Sequence, residues 1–99
     1  LGLASFPQRE LYERSVRGSS GLFSIETVTT DKDKIFDFTN RLKLFGRGIS
    51  WGGFESLVTA SHVQPSGYDA PAWFVRLFCG LEDPQDLIND IARALPALR

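Results

Sequence analysis

The chain contains no methionine, a single cysteine (Cys79) and a single histidine (His62). One cysteine excludes an internal disulfide and suits a reducing compartment. One cysteine and one histidine cannot build a metal cluster between them. An excess of one charge sign is also missing, since eleven basic residues stand against twelve acidic ones for a formal net charge of −1. That balance gives neither nucleic acid nor an anionic membrane surface a reason to bind. No apolar stretch approaches the ~20 residues that cross a bilayer. No basic-then-apolar leader opens the chain, so nothing marks it for secretion, and the expected location is cytoplasmic, which the missing leader does not by itself settle. The absent methionine and the abrupt apolar opening Leu1-Gly2-Leu3-Ala4 suggest a piece cut from a longer polypeptide.

What is present suits one small core. With 99 residues and 42% of them apolar, residues 1–99 are expected to form a single domain without repeats or linkers. Pro7 to Arg17 carries Leu11, Tyr12 and Val16 at helical spacing, so a lead-in helix over 7–17 is expected, with Gly18 as its stop. Leu22 to Val28 alternates like a half-buried strand. Thr30 or Asp31 can cap the next helix, 31–43, whose stripe is Ile35, Phe38 and Leu42, broadened by Phe36. Short strands are expected over 44–49 and 55–61, and a stronger one over Trp73 to Cys79. Asp83-Pro84 reads as a cap with proline at the first helical position. Leu87, Ile88, Ile91 and Leu95 then form an amphipathic stripe ending before Pro96. This order implies an α+β fold: a small, mainly antiparallel sheet with its helices on one face.

Few residues offer chemistry. Arg76 shares a strand face with Phe74 and Phe78, which puts a guanidinium on an aromatic surface. Either it sits at a sheet edge paired with Glu55 or Glu82, or it is an anion site, because its planar fork of donors matches a carboxylate. The run Gly46-Arg47-Gly48-Ile49-Ser50-Trp51-Gly52-Gly53 fails the dinucleotide fingerprint, because Trp51 stands where the third glycine belongs. Its glycines are better explained by a turn or a close backbone approach. Trp51 within such a bend suits the cover of a pocket or interface. Cys79 is expected to act as a small core residue, and His62 to be solvated in a polar loop. The carboxylates are scattered, and no pair of them suggests catalysis.

Three blocks carry a family resemblance. They are Gly18-Ser19-Ser20-Gly21-Leu22-Phe23-Ser24, then Leu44-Phe45 with Ser50-Trp51-Gly52-Gly53-Phe54-Glu55-Ser56-Leu57, and finally Val75-Arg76-Leu77-Phe78-Cys79-Gly80-Leu81-Glu82-Asp83 with Asp86-Leu87-Ile88. Together they resemble the C-terminal subdomain of the Cys/Met-metabolism pyridoxal-phosphate enzymes, which include cystathionine β-lyase, cystathionine γ-synthase, cystathionine γ-lyase and methionine γ-lyase. The resemblance implies the last subdomain of a fold-type I pyridoxal-phosphate enzyme. It implies that Arg76 receives the substrate α-carboxylate, with Ser50 and Trp51 lining the same pocket. Ser50-Trp51-Gly52-Gly53 looks like the bacterial β-lyases, and the γ-type Pro-Ala-x-x-x-His stretch is missing. Cleavage of cystathionine to homocysteine, pyruvate and ammonia, in methionine biosynthesis by transsulfuration, is therefore the expected activity.

The same resemblance places the cofactor, pyridoxal phosphate, on a lysine of a missing upstream domain. These 99 residues are thus expected to supply no catalytic group and to be inactive alone. The implied partners are a sulfur amino-acid substrate, the missing large domain, and further copies in a homo-oligomer, a tetramer at full length. Two rival readings remain beside it: a free-standing ligand-binding α+β module, and a structural or oligomerisation fragment.

Overall fold

The computed structural model describes residues 3–99; Leu1 and Gly2 lie outside them. Helix α1 (Arg9–Ser15) leads into strand β1 (Leu22–Glu26), helix α2 (Lys32–Arg41), strands β2 (Gly46–Arg47), β3 (Leu57–Val63) and β4 (Ala72–Phe78), and helix α3 (Pro84–Ala94). A 3-10 turn over Leu95–Leu98 closes the chain. The four strands form one sheet in the order β1-β4-β3-β2. β1 and β3 pair antiparallel with β4, and β2 pairs parallel with β3.

Strand alternation makes the two sheet faces unlike. Phe23 and Ile25 of β1 stand opposite Leu77 and Val75 of β4, and those two stand opposite Val58 and Ala60 of β3. All of this row but Phe23, which is exposed at its end, packs against α2 and α3 through Ile35, Phe38, Leu42, Leu87 and Ala94, with Phe45 and Ala97 completing the core. The other face carries Leu22, Ser24 and Glu26, then Phe78, Arg76 and Phe74, then Leu57, Thr59 and Ser61. No described helix covers it. The expected α+β sheet with both helices on one face is therefore the observed one.

Both helix starts follow their capping chemistry. Asp31 accepts from the amides of Asp33 and Lys34, and Asp83 from those of Gln85 and Asp86 with Pro84 behind it. Among the described residues no helix is long and apolar enough to cross a membrane.

Several boundaries and faces differ from the sequence expectations. α1 is shorter than 7–17, and none of its residues is buried. Gly18 beyond it takes a left-handed φ of 102°, where glycine carries no Cβ penalty. The stripe on α3 is rotated: Leu87 and Ala94 are buried, whereas Ile88 is 57% and Leu95 42% exposed. The cause is Asp90, which is drawn inward to accept the Lys43 amide (3.0 Å) and the Leu44 amide (2.8 Å). Nor does helical geometry end before Pro96. That proline opens the 3-10 turn, where its missing N–H leaves no bond unmade.

β2 shrinks to two residues because the amide of Leu44 is committed to Asp90. β3 starts two residues later than expected because Ser56 is bonded elsewhere, as described below. His62 lies in β3 rather than in a loop, stacked on Trp73 with ring centroids 5.0 Å apart.

Candidate functional site

Arg76 is the cation of the open sheet face. Its neighbours across the strands are Ser24 on β1 and Thr59 on β3, two short polar residues that leave room for a long side chain. Because β3 lies between β4 and β2, the guanidinium must cross β3 to reach the chain beyond β2. There its Nη2 donates to the carbonyl of Ile49. That carbonyl belongs to the residue before Ser50, so the structure brings Arg76 to the glycine-rich bend. The expected partners Glu55 and Glu82 do not pair with it, and among the described residues Arg76 has no acidic partner. A shallow groove of ≈ 300 Å³ runs beside it along Ser24, Thr59, Ser61, Val63 and Phe74, walled by Pro65.

The bend itself is open. Ser50 is exposed, and Trp51 keeps 61% of its surface in solvent. Ile49, Phe54 and Leu81 are also exposed. Gly52 adopts a φ of 86°, a conformation that a Cβ would strain. Among the described residues Trp51 covers no pocket, which leaves the cover of an interface as the other part of that expectation.

Glu82 has a different occupation. Its Oε1 accepts the Ser56 amide at 3.1 Å, and its Oε2 accepts the Ser56 hydroxyl at 2.6 Å. The same hydroxyl oxygen accepts the Gly80 amide at 2.8 Å, and the Leu81 amide donates to the Phe54 carbonyl at 2.9 Å. Ser56 is only 1% exposed. A Cβ on Gly80 would lie 2.2 Å from the Phe54 carbonyl oxygen, so only glycine permits this approach. The Ser56 hydroxyl, and after it the Ser56 amide, hold the Glu82 carboxyl below its usual range. Sequence reasoning passed over this cluster because Ser56 and Glu82 are 26 residues apart. The only signal was that both lie inside the quoted motif blocks.

Cys79 adjoins the cluster but is not activated. Burial, and secondarily the Glu82 charge, push its thiol up, so it stays protonated and inert.

The described residues do not fit pyridoxal phosphate. Lys32, Lys34 and Lys43 are all exposed on or beside α2, and Lys32 Nζ rests over the Phe36 ring. The glycine-rich bend leads into β3 rather than a helix, so it offers no helix N-terminus to a phosphate. What this set of residues can do is bind and orient an anion.

The fold and site define an α+β unit whose sheet is closed by helices on one face and carries on the other an arginine with no acidic partner among the described residues. Residues 1–96 match the model of the Cys/Met metabolism PLP-dependent enzyme family, and the chain belongs to that family. It is 43% identical over 97 residues to a cystathionine beta-lyase of Bordetella avium, covering 90% of this chain and 24% of that protein. It is 39% identical over 100 residues to an L-alanine/L-glutamate racemase of Wolbachia pipientis wMel, covering 93% and 24%. The apo crystal structure of a methionine gamma lyase from Micromonospora echinospora superposes with a TM-score of 0.70 at 31% identity, covering 95% and 24%. The chain thus spans about a quarter of the length of these relatives.

Proposed function

We propose that this chain is the carboxylate-recognising C-terminal part of a pyridoxal-phosphate-dependent carbon–sulfur lyase that cleaves cystathionine at its β-carbon. One observation carries the reading: Arg76 has no acidic partner among the described residues and is aimed by the Ile49 carbonyl beside Ser50. A planar fork of donors left without an anion matches an arriving carboxylate. The cofactor, bound by the upstream domain, supplies an electron sink at the substrate's α-carbon. This chain's residues hold the carboxylate: Arg76 grips it, and the Ser50–Trp51 backbone lies beside it. The open face, with half-buried Phe74 and Phe78, is the surface that meets the large domain. The assembled enzyme is a cytoplasmic homo-oligomer, a tetramer, serving methionine biosynthesis by transsulfuration.

Cleavage at the β-carbon is favoured over γ-cleavage by the Ser50-Trp51-Gly52-Gly53 block and by the missing γ-type stretch. Incubating the full-length enzyme with cystathionine separates the two. Homocysteine with pyruvate supports the reading, and cysteine with 2-oxobutyrate overturns it. Arg76→Leu is expected to cost about 2–5 kcal/mol of substrate binding, the range for truncating one partner of a buried charge pair. Lysine rescues little, because it keeps the charge and loses the fork.

The 39% identity to a racemase supports a second reading, in which the same grip holds an amino acid for racemisation. Loss of optical rotation from L-alanine without release of pyruvate would favour it.

A further inference from the structure

We propose that Glu82 is a positioning residue for the carboxylate site: through Ser56 it pins the end of the 48–56 loop to the strand that carries Arg76. The inference rests on the reading of Arg76 as the carboxylate's partner.

The loop is held at both ends, and β4 with its extension contributes at each. At the start the Gly48 amide donates to the Val58 carbonyl of β3 at 3.1 Å, and Arg76 reaches the next residue through the Ile49 carbonyl. Gly80, Leu81 and Glu82 hold the end at Phe54 and Ser56. Between them, Ser50 through Gly53 make no hydrogen bond among the described residues, and Gly52 and Gly53 add backbone freedom. The loop's path past Arg76 is therefore set at its two ends rather than along its length.

Glu82 is the piece that makes the far anchor specific. One carboxylate oxygen takes the Ser56 amide, and the other takes the Ser56 hydroxyl, which fixes how that hydroxyl faces Gly80. Because Ser56 is buried, an unmet donor there cannot turn to water. Gly48 stays paired with β3, so loosening the far end acts through the unbonded stretch from Ser50 onward, turning the Ile49 peptide and its carbonyl away from the guanidinium. A displacement on the order of 1 Å in an orienting group is enough to cost a factor of about 100.

The test compares two probes on the full-length holoenzyme: L-alanine, and ethylamine, which is L-alanine without its carboxylate. Binding is followed by the change in cofactor absorbance in wild type, Glu82→Gln, Glu82→Ala, Ser56→Ala and Arg76→Leu. Glu82→Ala and Ser56→Ala should raise the Kd for L-alanine about 10- to 100-fold and leave that for ethylamine unchanged. Glu82→Gln keeps one acceptor and should lose less. Amide exchange over 48–55 in the cofactor-free enzyme should quicken in the same order.

A merely structural brace would weaken both probes equally, or lower the melting temperature alone, and either result overturns the proposal. If Arg76→Leu weakens L-alanine while the Glu82 and Ser56 variants bind it normally, the positioning role fails and the carboxylate reading stands. If Arg76→Leu binds L-alanine normally, the carboxylate reading itself has failed.

Discussion

The two faces of the sheet use the same strand for opposite purposes. On one side of β4, Val75 and Leu77 are buried under α2 and α3. On the other, Phe74, Arg76 and Phe78 are half-buried with no described helix over them, only the Tyr68 ring edge-on to Phe74 and Pro65 at the groove's wall. The first face is closed by residues of this chain, and its chemistry is packing. The second is too apolar to be an ordinary solvated surface, and its arginine is too polar for a core. A sheet so divided has the character of half an interface, and the partner proposed for it is the rest of the enzyme.

The largest expected effect tests that division directly. Phe38 is fully buried at the centre of the closed face, so Phe38→Ala should destabilise the protein by about 3–5 kcal/mol. Arg76→Leu on the open face should move the denaturation midpoint hardly at all while removing substrate affinity. Denaturation of both variants of the full-length enzyme makes the comparison. Equal losses of stability would show that Arg76 is structural and that the two faces do not differ in kind.

A smaller effect is expected at Asp90, among the described residues the one charged side chain taken into the closed face. Burial alone would raise its pKa; the Lys43 and Leu44 amides and then Arg93 outweigh that effect and hold it low. A carboxyl depressed in the folded state contributes stability above the unfolded carboxyl's range. That contribution is lost as pH falls through the folded value. Asp90→Ala should therefore cost about 1–3 kcal/mol at neutral pH, and its melting temperature should respond less to acid than the wild type's. An acid response identical to wild type would remove Asp90 from the account of acid stability.

Legibility in the sequence divides along the same line. The closed face was readable because period and capping act locally: Ile35, Phe38 and Leu42 mark α2, and Asp31 and Asp83 mark the helix starts. The inward role of Asp90 was not readable, since the amides that draw it in are 46 and 47 residues away. Reading α3 from apolar spacing alone therefore put Ile88 on the wrong side. On the open face, alternation correctly grouped Arg76 with Phe74 and Phe78. It could not say which acceptor the guanidinium would reach, because that depends on β2 lying beyond β3 in the sheet. The pairing of Ser56 with Glu82 is a long-range contact of the same kind, and it also shortens β3 at its start.

The smallest predicted effect separates two adjacent carboxylates that sequence alone would treat alike. Glu82 reaches back to Ser56, whereas Asp83 turns forward and caps α3 through the Gln85 amide at 2.8 Å. An N-cap satisfies amides that the helix leaves unbonded, and its loss typically costs about 1 kcal/mol. Asp83→Ala should thus lower stability by about that amount, and Asp83→Asn by far less, since asparagine caps equally well. Neither should alter L-alanine binding, because α3 packs on the closed face and has no part in aiming Arg76. Glu82→Ala should show the reverse pattern, with affinity lost far beyond any change in melting temperature. Binding titrations and melts on Glu82→Ala and Asp83→Ala side by side read the contrast. If Asp83→Ala weakens L-alanine as much as Glu82→Ala does, the start of α3 and the 48–56 loop move as one body, and the functional separation of the two faces ends at Gly80.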